Sequence, residues 1–203
     1  MALVDVGAFA NRDVGIYRAA AAPLTYAGAD SAPQPDAWHS IDEMLEDCRA
    51  TYLTDGLASL RTVASVSVDH SWSNAVLEHV RSAELGPQMR ELARATVAGG
   101  TTSHQVDFRD HLGGGRAHLR IGSGLWERDW FALKSGFYTN RCQYTAVKGY
   151  LESAGFQITR ISSVVPFDEP IDRSALAVEF RGLDEDSLTI AGARFEAVKP
   201  LLG

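Results

Sequence analysis

Cysteine is nearly absent: Cys48 and Cys142 are the whole complement, 94 positions apart, in a chain of 203 residues. Two distant thiols exclude a disulfide framework and fit reduced cysteines in a cytoplasmic protein. Long apolar runs are missing too. No stretch approaches the roughly 20 residues that span a bilayer, and the start, MALVDVGAFANRD, lacks the basic and apolar regions of a signal peptide. Positive charge is in deficit, with 19 Lys and Arg against 26 Asp and Glu and no basic run, for a net charge of −7. That balance argues against nucleic-acid or membrane-surface binding through bulk electrostatics. Repeats and low-complexity segments are absent.

What remains has ordinary globular composition, 45% hydrophobic and 22% charged, and is long enough for one domain over 1–203 with a real core. The pattern alternates between strand and helix. Strands are predicted over Ala2–Val6, Val66–Trp72, Thr101–Phe108, Phe156–Val164 and Leu188–Val198. Helices are predicted over Val14–Ala22, Ile41–Ala50, Asn74–Val97 with a break at Gly86-Pro87, Leu125–Leu133, Tyr144–Ala154 and Asp172–Arg181. Ser40 with Glu43 forms a capping box, Gly155 suits a helix C′ position, and Pro23–Trp38 reads as a loop. This alternation specifies an α/β fold: a doubly wound, mostly parallel sheet with an antiparallel edge strand at the C-terminus.

The most informative stretch is Val68-Asp69-His70-Ser71-Trp72-Ser73-Asn74-Ala75-Val76-Leu77-Glu78-His79-Val80, a strand that turns directly into an apolar-periodic segment. Such turns present ligand contacts at the carboxyl edge of open α/β sheets. It resembles the segment after the fourth strand of class I S-adenosylmethionine (SAM) methyltransferases of the type 11 kind, where a VLEHV helix is frequent. Further segments resemble the same family in the same order. Leu3-Val4-Asp5-Val6 is similar to its second strand, and Tyr52-Leu53-Thr54-Asp55-Gly56-Leu57 to the turn beside the adenine. Met89–Arg94 followed by Gly99-Gly100 is similar to the helix and PGG turn before the fifth strand, with Ala98 in place of the proline. Tyr150–Phe156 is similar to the LLEEAGF element.

The resemblance implies a Rossmann-like fold, SAM as cofactor and a small-molecule or glycan-type methyl acceptor. It assigns Asp5 to the ribose, Asp55 to the side of the adenine, and Ser73 and Asn74 to the amino-acid part, with Val6, Gly56 and His79 as further cofactor-binding candidates. Solvated acids, turn chemistry and helix capping would produce the same residues at these places. The family also has a first strand and an E/D-x-G-x-G turn ahead of the second strand; no such turn occurs here. The sheet is therefore expected to be N-terminally incomplete, the gene product shortened or the cofactor site reduced. A homodimer or a strand-completing partner would then cover open edges.

The polar run Ser103–His111 contains the candidate catalytic residues His104, Asp107 and His111. Histidine is the natural base for taking a proton from an acceptor near neutral pH. A metal-dependent hydrolase built on the same three residues, and a hydrogen-bonded sheet edge, are the competing readings; no standard metal-ligand spacing is present, so no metal is expected. Residues 112–142 are expected to form a substrate loop or lid, mobile at Gly113-Gly114-Gly115. Trp126 and Trp130, four apart, would share a helix face that either packs or covers the substrate. Trp126, Tyr138, Asn140 and Arg141 are its candidate substrate contacts. A non-catalytic remnant serving as an assembly module is the alternative to an active methyltransferase.

Overall fold

The computed structural model describes residues 1–8, 10–21 and 33–201; most of the expected proline loop over 23–38 lies outside them. The chain falls into two compact units, Met1–Thr62 and Val63–Gly203.

The smaller unit contains β1 (Ala2–Val4), α1 (Val14–Ala21), α2 (Ile41–Asp47), β2 (Thr51–Leu53) and α3 (Leu57–Thr62). β1 and β2 pair in parallel, Ala2 opposite Thr51 and Val4 opposite Leu53. Ser40 caps α2 as its sequence predicts, its side chain accepting from the Glu43 N–H at 3.2 Å. Glu43 reaches back to the N–H of His39 rather than Ser40. Val14, Ala21 and Trp38 make a small core, and the Trp38 indole N–H donates to Asp47 Oδ2 at 2.7 Å.

The larger unit runs β3 (Val68–Asn74), α4 (Ser82–Ala95), β4 (Thr96–Asp107), α5 (Ser123–Trp126), α6 (Asp129–Lys134), α7 (Tyr144–Ser153), β5 (Gln157–Pro166), α8 (Glu185–Thr189) and β6 (Ile190–Val198). Its sheet has the order β3-β4-β6-β5; β3 and β4 are parallel, and β6 alone runs against its neighbours. The C-terminal strand is antiparallel as expected, but it lies between β4 and β5, leaving β5 at the edge. α4 and α7 cover one sheet face. Leu85 and Met89 from α4, Val147 and Leu151 from α7, Val106 from β4 and Phe195 from β6 are all essentially solvent-free there.

Three helix expectations change. The helix expected over 74–97 begins only at Ser82; the chain stays extended to Asn74 and passes Ala75 at φ 51°. A single 3₁₀ turn at Leu77–His79 follows. There is no break at Gly86-Pro87, both of which lie inside α4. A Cβ at Gly86 would meet the Tyr150 ring at 3.1 Å. Trp126 and Trp130 do not share a helix face, because Arg128 adopts an extended conformation (ψ 136°) between α5 and α6. The segment 172–181 forms two 3₁₀ turns rather than one helix. No helix of the described residues is long and apolar enough to cross a membrane.

Phe195 has no exposed surface at the centre of this core, so Phe195→Ala is expected to destabilise the protein by about 3–5 kcal/mol in urea unfolding. Trp130, 56% exposed, should cost less than about 1 kcal/mol when changed to Ala.

Candidate functional site

In the smaller unit the carboxyl ends of β1 and β2 are tied together beyond the ladder. The Asp5 N–H donates to Leu53 O at 2.8 Å, and the Gly56 N–H donates to Asp5 O at 2.7 Å. Asp5, half-buried, accepts from the Val6 N–H (2.7 Å) on Oδ1 and from the Tyr52 hydroxyl (3.1 Å) on Oδ2. Each carboxylate oxygen keeps a further lone-pair direction for a hydroxyl. Gly56 needs to be glycine, since it sits at φ 52° and a Cβ would lie 3.0 Å from Val6 Cγ1. Asp55 is exposed, its backbone N–H held by Ser59 Oγ at 2.9 Å. The sequence-predicted residues Asp5, Val6, Asp55 and Gly56 thus share one sheet edge.

In the larger unit β3 and β4 form a carboxyl edge of their own. Asn74 pairs with Gln105, and the Ala75 N–H donates to Gln105 O at 3.0 Å, so the turn leaves Asn74 and Ala75 exposed at the carboxyl end. A hollow of about 210 Å³ is lined there by Asn74, Ala75, Gln105, Asp107 and Arg109, among others. Asp107 holds Arg109 through two oxygens, at 2.9 and 2.8 Å. Burial opposes ionisation of Asp107, yet the Arg109 guanidinium and N–H keep its carboxyl below the ordinary value. His111 is within reach of the same charge, and its ring lies 5.0 Å from that of His79. Desolvation and then His111 hold the His79 imidazole below its usual value, so it is neutral, and able to accept a proton, near pH 7.

His104 is elsewhere. It is 2% exposed and faces the α4–α7 side of the sheet, with Ser73 Oγ 2.7 Å from Nδ1 and Thr102 Oγ1 2.6 Å from Nε2. Burial, and then the charge of His70, push it down to about 4. Neither ring nitrogen is open. Along β4 it lies on the face opposite Asp107, so the structure joins Asp107, His111 and His79 and leaves His104 as the support of Ser73. Among the described residues no group of three or more His, Cys, Asp and Glu side chains is placed to hold a metal ion.

The four predicted substrate contacts are all buried. Trp126 has no exposed surface and donates from Nε1 to Thr139 O at 2.7 Å. Tyr138 donates to Glu127 Oε2 and accepts from the Ser82 N–H. Asn140 donates from Nδ2 to the carbonyls of Leu77 (2.7 Å) and Val80 (2.9 Å). The Arg141 guanidinium lies between the rings of Trp126 and Phe180 and donates to Ile121 O and Ser123 Oγ. They form the frame of segment 112–142.

One buried acid beside these residues escapes a reading of the sequence. Glu78, in the middle of VLEHV, is 4% exposed. Its Oε1 accepts weakly from the Asp107 N–H at 3.4 Å, and its Oε2 has no partner. Burial above all, with the charge of Asp107 adding, pushes its carboxyl up to about 7. Its place within the apolar spacing of Val76, Leu77 and Val80 is the only signal in the sequence, and it suits an ordinary helix equally well.

No family model and no curated protein matches the sequence. Solved structures do resemble the fold. A SAM-dependent methyltransferase from Methanosarcina mazei superposes with a TM-score of 0.52 at 14% identity, over 99% of this chain and 82% of that one. A chain of the Haloferax volcanii complex between the Trm112 methyltransferase activator and a methyltransferase gives 0.49 at 18%, over 100% and 83%. A SAM-dependent methyltransferase from Mesorhizobium loti gives 0.43 at 19%, over 77% and 76%.

Glu78 offers a direct test of the site's electrostatics. A carboxyl raised from its ordinary 4.5 to about 7 adds stability that is complete below pH 4.5 and is lost as pH rises through 7, about 3 kcal/mol in all. Glu78→Gln should flatten that part of the stability–pH curve and exceed the wild type above pH 7, as read by urea unfolding at a series of pH values. With the strand order and the Methanosarcina likeness together, the fold of this chain is that of the class I SAM-dependent methyltransferases.

Proposed function

We propose that the chain binds SAM and transfers its methyl group to a small-molecule acceptor. The observation that carries the reading is the pair of strand ends in the smaller unit, where Asp5 and Asp55-Gly56 are hydrogen-bonded side by side on a fold of this class. A carboxylate at the end of such a strand suits the two ribose hydroxyls. In this reading the smaller unit's Asp5 takes the ribose, with Val6, Asp55 and Gly56 as further cofactor contacts, and the larger unit's Ser73, Asn74 and His79 are assigned to the cofactor by the family resemblance alone. The residues fit the nucleoside end best, because the chain carries no E/D-x-G-x-G turn for the methionine end.

When bound, SAM supplies a methyl group already activated as a sulfonium. The chain's own work is alignment and proton removal. Asp107, His111 and His79 are the candidates for taking the acceptor's proton. His104 acts through Ser73 as a positioning residue. Segment 112–142, framed by Trp126, Tyr138, Asn140 and Arg141, is assigned to the acceptor, with the chemistry read at the 210 Å³ hollow beside Asp107.

Calorimetry with SAM tests the proposal. Wild-type protein should give a measurable binding heat at millimolar ligand, and Asp5→Asn should bind about tenfold more weakly, as the loss of a charged hydrogen-bond acceptor implies. Absent wild-type binding would favour the remnant that serves only in assembly.

A further inference from the structure

Next to the hollow beside Asp107 lies a larger cleft of about 410 Å³, and Arg109, Val165 and Ala191 line both. Three arginines border it: Arg109, Arg116 and Arg120. They differ in what they already hold. Arg109 is committed to Asp107. Arg116 stacks on Phe167, 4.3 Å from the ring centre, and donates to the carbonyls of Leu188 and Glu169. Arg120 is exposed and makes no side-chain hydrogen bond or ion pair with any described residue. Asp172, bonded to Ser174, feels its charge without pairing with it.

Its backbone, by contrast, is fixed. Arg120 ends a 3₁₀ turn (Ala117–Arg120) whose first N–H is accepted by Asp110 Oδ2. Leu119 beside it is wholly buried with Leu176 and Leu188. Asp110, 3% exposed, also accepts from the N–H groups of Leu112 and Gly113. That wraps the glycine loop around one carboxylate. Gly114 takes φ 77°, and the N–H groups of Gly115 and Arg116 find no acceptor among the described residues. Successive free N–H groups next to a left-handed residue form a concavity suited to anions. Asp168 and Glu169 are exposed at the rim of the same cleft. They set an upper limit on its positive charge and favour a compact anion held by directed donors over a polyanion.

We propose that the methyl acceptor carries an anionic group, a phosphate or a carboxylate, which this cleft seats between Arg120 and the N–H groups of the glycine loop while the atom to be methylated enters the adjoining hollow. The inference rests on the methyl-transfer reading for the word acceptor, and on the cleft alone for the anion. A free guanidinium on an anchored backbone is the preorganised donor that phosphate and carboxylate recognition uses.

Titration of the intact protein with inorganic phosphate and with acetate, followed by calorimetry, tests it. Phosphate or acetate should bind the wild type, Arg120→Gln should weaken that binding about tenfold, and Arg160→Gln, which removes an exposed arginine outside the cleft, should leave it unchanged. Binding of phosphate alone would identify a phosphate monoester, and binding of acetate as well a carboxylate. No binding of either anion, or equal binding by Arg120→Gln, overturns the inference. SAM titrated into the same samples keeps the two readings apart: anion binding without SAM binding would retain the subsite and remove the methyl-transfer reading.

Discussion

The arrangement of the larger unit depends on one buried amide. Asn140 is 5% exposed, and its side-chain amide and backbone N–H are all bonded inside the protein. Its Nδ2 holds the carbonyls of Leu77 and Val80, its Oδ1 accepts from the Cys142 N–H, and its own N–H donates to Glu78 O. These bonds take the place of helical ones in the first turn after β3. They let the chain leave the strand, reverse at Ala75 and pass Glu78 and His79 along the carboxyl edge before α4 begins. An apolar residue at 140 would leave the Val80 carbonyl without its donor and Leu77 O with only the Val80 N–H at 3.3 Å, at a cost above that of a lost surface bond.

That same amide explains where sequence reading succeeds and where it stops. The strand, the helix α4, the Ser40 cap and α7 with its glycine stop are all written in local spacing. So is the carboxyl-edge position of Asp5, Asp55 and Ser73-Asn74. Val76, Leu77 and Val80 have helical spacing as well, and nothing nearby says the turn is 3₁₀. The deciding donor is some 60 residues away. Trp126 and Trp130 fail for a related reason: a spacing of four implies one face only if the helix is continuous, and Arg128 is extended. Glu78 and His104 are polar residues that the tertiary fold encloses, which no period in the sequence announces.

The two enclosed groups are perturbed in opposite senses by the same cause. Loss of water raises the Glu78 acid to about 7 and lowers the His104 base to about 4, so both favour their neutral forms. The acid that stays charged is Asp107, and it does so because Arg109 is bound to it through two oxygens.

The place of β6 bears on how the protein is made. It leaves the ribosome after β4 and β5, yet it lies between them in the sheet and bonds to both. Until residues 190–198 emerge, both of those strands present bare edges to any neighbouring nascent chain. Synthesis therefore passes through a window in which the larger unit is most open to mispairing, and any stop codon ahead of Ile190 would make that window permanent.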